Sequence, residues 1–135
     1  MHNRVDLQCK VDLGKFEYEA HCVACHGLAG KGDGPFVPLL KSGTAANLTE
    51  LSKRNNGVFP FVRVYETIDG TDLVTAHGTR AMPIWGNEYK TIASGGGYYD
   101  TGIRGMDSIP YNDPEAFTRA KILALTEYVY RLQAK

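Results

Sequence analysis

Two cysteines and a histidine lie together in the run Cys22-Val23-Ala24-Cys25-His26. This C-x-x-C-H pattern is typical of covalent haem attachment. In that chemistry the two thiols add across the two vinyl groups of a haem, and the adjacent imidazole lies beneath the iron. On a helix, residues 22, 25 and 26 are three and four positions apart and project from one face, as a flat macrocycle requires. The run therefore predicts a covalent haem with His26 as an iron ligand.

Other uses of paired cysteines fit this run less well. A thioredoxin-like redox pair requires a βαβ context, and no strand pattern precedes Cys22. A structural zinc site requires four ligands, and the sequence has no second Cys/His pair at zinc-finger spacing. Cys9, His21 and His77 match no zinc module, and we expect them in loops or at the surface.

The second axial ligand decides between an electron carrier and a reactive haem. The chain has three methionines, Met1, Met82 and Met106. We favour Met82 over Met106, which lies in a glycine-rich stretch. His77 stays open as the ligand of a bis-histidine haem, and an ordinary core methionine stays open for Met82.

Met82 is favoured because of its neighbours. Pro83 directs the residue before it towards extended backbone, so Met82 is presented from a stiff loop. Gly78 and Gly86 allow the backbone to approach a flat cofactor closely. A thioether ligand favours Fe(II) and raises the reduction potential of a haem.

Two further patterns extend the C-x-x-C-H run over most of the chain. The run is preceded by Gly14 and Tyr18, so that the whole segment reads G-x-x-x-aromatic-x-x-x-C-x-x-C-H. A later segment reads L-x-x-aromatic-aliphatic-x-x-L, formed by Leu125, Tyr128, Val129 and Leu132. Between them stands Met82-Pro83-x-Trp85-Gly86. With these patterns in this order, the chain resembles the bacterial class I monohaem c-type cytochromes from about residue 13 to residue 132.

This resemblance implies an all-α cytochrome c fold. The N- and C-terminal helices would cross, and short helices and loops would wrap one covalently bound haem c. It also implies a soluble periplasmic electron-transfer protein that is not an enzyme and that acts with redox-partner proteins.

The resemblance also suggests three residues around the haem. Pro35 looks like the family proline whose carbonyl accepts a hydrogen bond from the His26 ring, which would fix the tautomer of that ligand. A turn proline is the alternative. Trp85 and Tyr89 are expected to pack against the macrocycle or its propionates, with no role as an electron relay.

Helix packing supports the same arrangement without the family. Gly14 removes a side chain where two helices cross closely, and Tyr18 fills the groove one turn later. Leu125, Tyr128, Val129 and Leu132 recur at the helical period and predict one apolar stripe. We assign Val129 and Leu132 to the core and not to the haem site.

Composition limits the class of protein. A chain of 135 residues suits one domain, which we place at 13–135 after a mobile N-terminal extension at 1–12. Fifteen basic and fifteen acidic residues cancel, which gives no signal for nucleic-acid binding. No apolar run has the length needed to span a bilayer.

The N-terminal segment raises two further expectations. It is polar and has no apolar segment of the kind that a secretory leader contains. Because the resemblance implies haem attachment outside the cytoplasm, we expect a periplasmic mature form whose leader is missing. Cys9 is left over once Cys22 and Cys25 hold the haem, and we expect it to be idle, with an intermolecular disulfide as the alternative.

Turn and capping residues predict several short helices. Asn47 begins a helix over 48–55 that Gly57 closes, and Pro60 starts one over 61–68 that ends at Gly70. Further helices are predicted over 88–94 and from 114 or 115 to 133. Residues 95–114 form a long loop, either a docking surface through Tyr98 and Tyr99 or an insertion with no binding role.

Charge and sequence similarity leave the partners open. Five basic residues form either a rim near the haem edge or a scatter of solvated charges: Lys31, Lys41, Lys53, Arg54 and Arg80. The segments 59–65 and 82–86 resemble small cytochromes that serve periplasmic dehydrogenases, among them molybdenum sulfite dehydrogenases. The expected role is to accept electrons from such an enzyme and pass them to a terminal oxidase or reductase.

The sequence is also compatible with two other functions. One is a peroxidase-like or gas-binding haem with an open sixth site, which requires that Met82 is not bound to iron. The other is a permanent haem subunit of a larger oxidoreductase.

Overall fold

The computed structural model of the chain describes residues 12–71, 82–94 and 114–135. All regular elements in these ranges are helical. They are α1 (Leu13–His21), α2 (Val23–His26), 3₁₀ turns at Val37–Leu39 and Leu48–Glu50, α3 (Leu51–Arg54), α4 (Phe61–Asp69), α5 (Trp85–Ser94) and α6 (Pro114–Arg131). No helix within these ranges is both long enough and apolar enough to span a membrane.

The helices follow the predicted order, with small differences at their ends. The segment over 48–55 is a 3₁₀ turn followed by a single α-turn, and the Asn47 side chain accepts from the Thr49 N–H at its start. Helix α5 begins at Trp85, three residues before the predicted start. Pro60 is the N-cap of α4 and not its first helical residue, and Gly70 ends the helix in the left-handed conformation.

The first and last helices pack against each other at Gly14. A Cβ atom at this position would overlap the carbonyl oxygen of Ala124 on α6 and lie 3.0 Å from the Cβ of Tyr128. The fully buried Tyr18 lies one turn further along α1, and its ring centroid is 5.0 Å from that of Tyr128. The predicted close crossing of the terminal helices, with Tyr18 in the groove, is therefore confirmed.

A charged cluster lies within the contact between α1, α5 and α6. The Glu17 side chain is only 5% exposed and forms an ion pair with Lys121. The Tyr89 hydroxyl donates to the same carboxylate at 2.9 Å, and His21 Nε2 lies 3.5 Å from it. Because a buried charge is costly without partners, this cluster fixes the position of α5 on the terminal helices.

A second close contact joins the end of α4 to the segment before α5. A Cβ on Gly70 would overlap the Ile84 side chain, and a Cβ on Gly86 would lie 2.7 Å from the Asp69 carbonyl oxygen. These two glycines let residues 82–86 lie directly on the end of α4. Gly86 makes possible a close approach to Asp69, and its expected approach to the cofactor remains a prediction; Gly78 is outside the described residues.

The C-terminal residues hold the segment over 48–52. The Gln133 amide donates to the Leu48 carbonyl at 2.6 Å and accepts from the Ser52 N–H at 2.9 Å. The Ala134 N–H donates to the Thr49 carbonyl at 2.8 Å. Gln133 and Ala134 therefore hold in place a segment whose Leu48 and Leu51 side chains line a cavity.

An ion pair connects the start of α1 to the last turn of α6. The Arg131 guanidinium donates to both Asp12 oxygens at 2.7 Å, and Asp12 also caps α1 by accepting from the Lys15 N–H. The hydrogen bonds from Arg131 are the main reason that the pKa of Asp12 falls from 3.8 to about 2.

We predict that Gly14→Ala destabilises the holoprotein. The added methyl group meets a backbone carbonyl, so the helices must separate, at a cost of about 1–3 kcal/mol in the free energy of unfolding. This outweighs the better intrinsic helix propensity of alanine. Urea unfolding followed by circular dichroism measures the loss, with Lys15→Ala on the exposed face as control. Equal stability of the two variants would show that α1 and α6 are not in tight contact.

We predict a pH-dependent effect of Asp12→Asn, which keeps a capping oxygen but removes the charge. The lowered pKa means that the folded chain favours the carboxylate, so its contribution is complete above the ordinary pKa of 3.8 and is lost as the pH falls towards about 2. The variant should have a lower urea midpoint than the wild type at neutral pH, and the gap should narrow in acid. Glu19→Gln, which removes an exposed ion pair, is the control. A gap that does not change with pH would contradict this account.

Candidate functional site

A cavity of about 390 Å³ opens beside the C-x-x-C-H segment. Its inner wall is aliphatic, and three side chains able to bind a haem or its iron also line it, namely Cys22, His26 and Met82. The aliphatic wall is formed by Leu48, Leu51, Val64, Ile68, Leu125 and Val129. An apolar cleft that contains a thiol, an imidazole and a thioether fits a haem in its donor set.

The attachment segment is set by a turn at Cys22. Helix α1 ends at His21 and α2 starts at Val23, but hydrogen bonds run through the junction, from the Cys22 N–H to Tyr18 and from the His26 N–H to the Cys22 carbonyl. Cys22 and His26 both reach the cavity, whereas Cys25 is half-buried and outside its lining. Burial raises the pKa of the Cys22 thiol to about 12.

The hydrogen-bond partner predicted for His26 was wrong. The ring Nδ1 lies 2.9 Å from the carbonyl oxygen of Ala46, not that of Pro35. Pro35 is exposed, and the residues on either side of it, Gly34 and Phe36, donate backbone hydrogen bonds to the Cys25 and Ala24 carbonyls. The loop therefore passes along α2 at Pro35 and reaches the imidazole only at Ala46.

Close backbone contacts hold this loop in place. A Cβ on Gly34 would overlap the Ala24 carbonyl. A Cβ on Gly32 would overlap the Ala45 carbonyl oxygen and lie 3.2 Å from that of Ala46, and Gly32 has a φ of +84°. Glycine is thus required where the loop contacts the residue whose carbonyl faces His26.

Met82, the axial ligand favoured from the sequence, lines the same cavity as His26. Its segment is held by the Gly70–Ile84 and Gly86–Asp69 contacts at the end of α4. The competing ligands His77 and Met106 lie outside the described residues, as do Cys9, Arg80, the N-terminal extension as far as residue 11 and the loop over 95–113.

The mouth of the cavity carries polar side chains. Arg54, Asn55 and Arg63 line it, and all three are exposed residues. Arg54 also pairs with Glu50 at 3.1 Å. Of the five basic residues considered from the sequence, only Arg54 lines the cavity, while Lys31, Lys41 and Lys53 are exposed elsewhere. Arg63, which the sequence did not single out, also lines it.

Trp85 and Tyr89 lie outside the cavity lining. The Trp85 ring is 5.0 Å from that of His21, and Tyr89 is buried with its hydroxyl on Glu17. Burial is the main reason that the pKa of Tyr89 is raised, so the hydroxyl remains a donor at neutral pH. Their expected contact with the macrocycle or its propionates remains a prediction.

Val129 and Leu132 belong to the core as predicted, the first buried and the second packed partly buried against it. The exclusion of Val129 from the site does not hold, whereas Leu132 is outside the cavity lining. Leu125 and Val129 are buried in the helix contact and also line the cavity. The apolar stripe of α6 therefore forms part of the site wall. The sequence contains a signal for this, because the resemblance places the last helix across the helix that leads into the C-x-x-C-H run.

The helical fold and the site around C-x-x-C-H define a protein that holds a covalent haem. A family model described as Cytochrome c matches residues 11–133. The chain therefore belongs to the cytochrome c family, which is characterised by covalently attached haem c and haem-based electron transfer. Searches of curated proteins and of solved structures found no match.

We predict that Gly32→Ala is more damaging than Gly43→Ala. Both glycines have positive φ, +84° and +67°, but a Cβ on Gly43 has nothing within 4 Å. Gly43→Ala should therefore cost only the free energy of holding an alanine at positive φ, about 1–2 kcal/mol. Gly32→Ala should cost about 1–3 kcal/mol more, because the Ala45–Ala46 backbone must move. Urea unfolding of both holoproteins measures the difference, and equal losses would contradict the contact.

Proposed function

We propose that this cytochrome c is a one-electron carrier whose haem iron is held between His26 and Met82. The observation that supports this most directly is that an imidazole and a thioether line the same cavity beside Cys22. When bound, the haem supplies a reversible Fe(II)/Fe(III) couple. The thiols of Cys22 and Cys25 hold it covalently.

A backbone hydrogen bond orients the His26 ring for binding iron. Its Nδ1 donates to the Ala46 carbonyl, which leaves Nε2 for the iron. Such a hydrogen bond fixes the tautomer and ring orientation of a histidine ligand and raises its basicity. Because the acceptor is a backbone carbonyl in a glycine-fixed loop, it does not change its charge with pH.

The cavity wall and Met82 favour the reduced state. Val64, Ile68, Leu125 and Val129 keep water from the inner part of the cavity. An apolar environment disfavours the additional positive charge of Fe(III), and a thioether ligand acts in the same direction. Both effects raise the reduction potential.

The polar mouth suits the two carboxylates of the haem. Arg63 has no ion-pair partner among the residues that the structure describes, whereas Arg54 is partly engaged with Glu50. We assign Arg63, together with Arg54 and the Asn55 amide, to the binding of the propionates. Arginine is well suited because its planar donors match a carboxylate.

In this proposal the carrier works in the periplasm between a dehydrogenase and a terminal oxidase or reductase. The similarity of residues 59–65 and 82–86 to cytochromes that serve sulfite dehydrogenases supports that donor class. Rapid-mixing reduction by a purified sulfite dehydrogenase with sulfite tests it. If the haem is not reduced, sulfite dehydrogenase is excluded as the electron donor, but the proposal that the protein is an electron carrier is unaffected.

We predict that Met82→Ala abolishes the near-infrared sulfur-to-iron absorption band of the oxidised protein. It should also open the reduced haem to carbon monoxide, which the wild type should resist at neutral pH. Met106→Leu is the matched control and should keep the band. If the band is lost in Met106→Leu and kept in Met82→Ala, Met106 is the iron ligand instead of Met82. Rapid carbon monoxide binding by the wild type would instead indicate a reactive or gas-binding haem.

A further inference from the structure

The Tyr18 hydroxyl has a role that packing does not require. Its ring fills the groove between α1 and α6 and is fully buried, as a phenylalanine would also be. The hydroxyl adds a hydrogen bond of 2.6 Å to the Gly27 carbonyl, the first carbonyl after His26. Burial raises the pKa of Tyr18 above its ordinary value of 10.0, so the hydroxyl is a donor over the working pH range.

The Gly27 carbonyl is an anchor in a hydrogen-bonded turn. Gly27 has a φ of +80°, a backbone conformation that favours glycine. The same carbonyl accepts from the Gly30 N–H at 3.1 Å, and the Gly32 N–H donates to the His26 carbonyl at 2.8 Å. The turn after His26 is therefore connected both to Tyr18 and to His26 itself.

The turn also reaches the residue that binds the imidazole. The Gly30 carbonyl accepts from the Leu48 N–H at 2.6 Å, two residues after Ala46. The Ala46 carbonyl then faces His26 Nδ1 at 2.9 Å. A path of buried and backbone hydrogen bonds thus leads from Tyr18 through Gly27 and Gly30 to the partner of the ligand.

We propose that Tyr18 is a positioning residue for His26, whose hydroxyl fixes the turn and thereby the carbonyl that orients the imidazole. This inference rests on the proposed function, because it takes His26 to be an iron ligand. The hydrogen-bond partners of a histidine ligand fix its ring orientation, and their loss weakens a metal site. The ring of Tyr18 serves the helix contact, and its hydroxyl serves the haem ligand.

The test is Tyr18→Phe in the holoprotein, with the exposed Tyr130→Phe as matched control. The hyperfine-shifted haem methyl resonances of the oxidised protein report the plane of the axial imidazole. We expect Tyr18→Phe to change their spread and order, and Tyr130→Phe to leave both unchanged. We also expect the Leu48 amide proton to exchange at least about tenfold faster in Tyr18→Phe, since its acceptor turn has lost an anchor.

The outcomes separate the two proposals. Unchanged methyl resonances in Tyr18→Phe would overturn the positioning role, whether or not Leu48 exchange rises. Changed resonances with unchanged Leu48 exchange would also overturn it, because the hydroxyl would then act by another route. A wild-type spectrum that shows no histidine ligand on the iron would overturn the proposed function instead.

Discussion

The contact between α1 and α6 at Gly14 is the constraint on which the rest of this structure depends. The backbones of the two helices approach so closely that the Ala124 carbonyl occupies the space of a Cβ. This brings the Tyr18 face of α1 onto the Leu125 and Val129 face of α6, and the same face continues into the C-x-x-C-H segment. The wall of the cavity and the attachment point of the haem are thus fixed by one helix contact between distant parts of the chain.

Buried charge makes this contact specific. Glu17 lies on the buried face of α1 and is satisfied only when Lys121 of α6 and Tyr89 of α5 are both in place. Burying such a pair adds little stability over apolar residues of the same size, but an unpaired carboxylate there would be costly. The cluster therefore disfavours other registers of the three helices.

The sequence was most informative where a function depends on residues close together in the chain. The spacing of Cys22, Cys25 and His26, the glycine at position 14 and the helix-ending Gly70 each carry their own physical signature. Glu17 could also have been recognised, since positions 14, 17, 18 and 21 share one helical face. A charged residue on a buried face implies a partner, here Lys121.

The errors arose where a contact depends on the path of a loop. Nothing in the local sequence distinguishes the carbonyl of Pro35 from that of Ala46 as the partner of His26, because every residue has one. The choice is made by Gly32 and Gly34, which let the loop run along α2 before it returns. Gly86 illustrates the same limit, since a glycine in the sequence indicates a close approach but not its partner, which here includes Asp69.

The central claim is that Cys22 and Cys25 bind one haem covalently in this cavity. The most direct measurement is the intact mass of the purified chain under denaturing conditions, which remove any haem that is bound only by contacts. We expect the mass of the polypeptide plus one haem, and the mass of the bare chain when Cys22 and Cys25 are both changed to alanine. The mass of the bare chain in wild-type material that was made with a working haem-attachment system would contradict the claim.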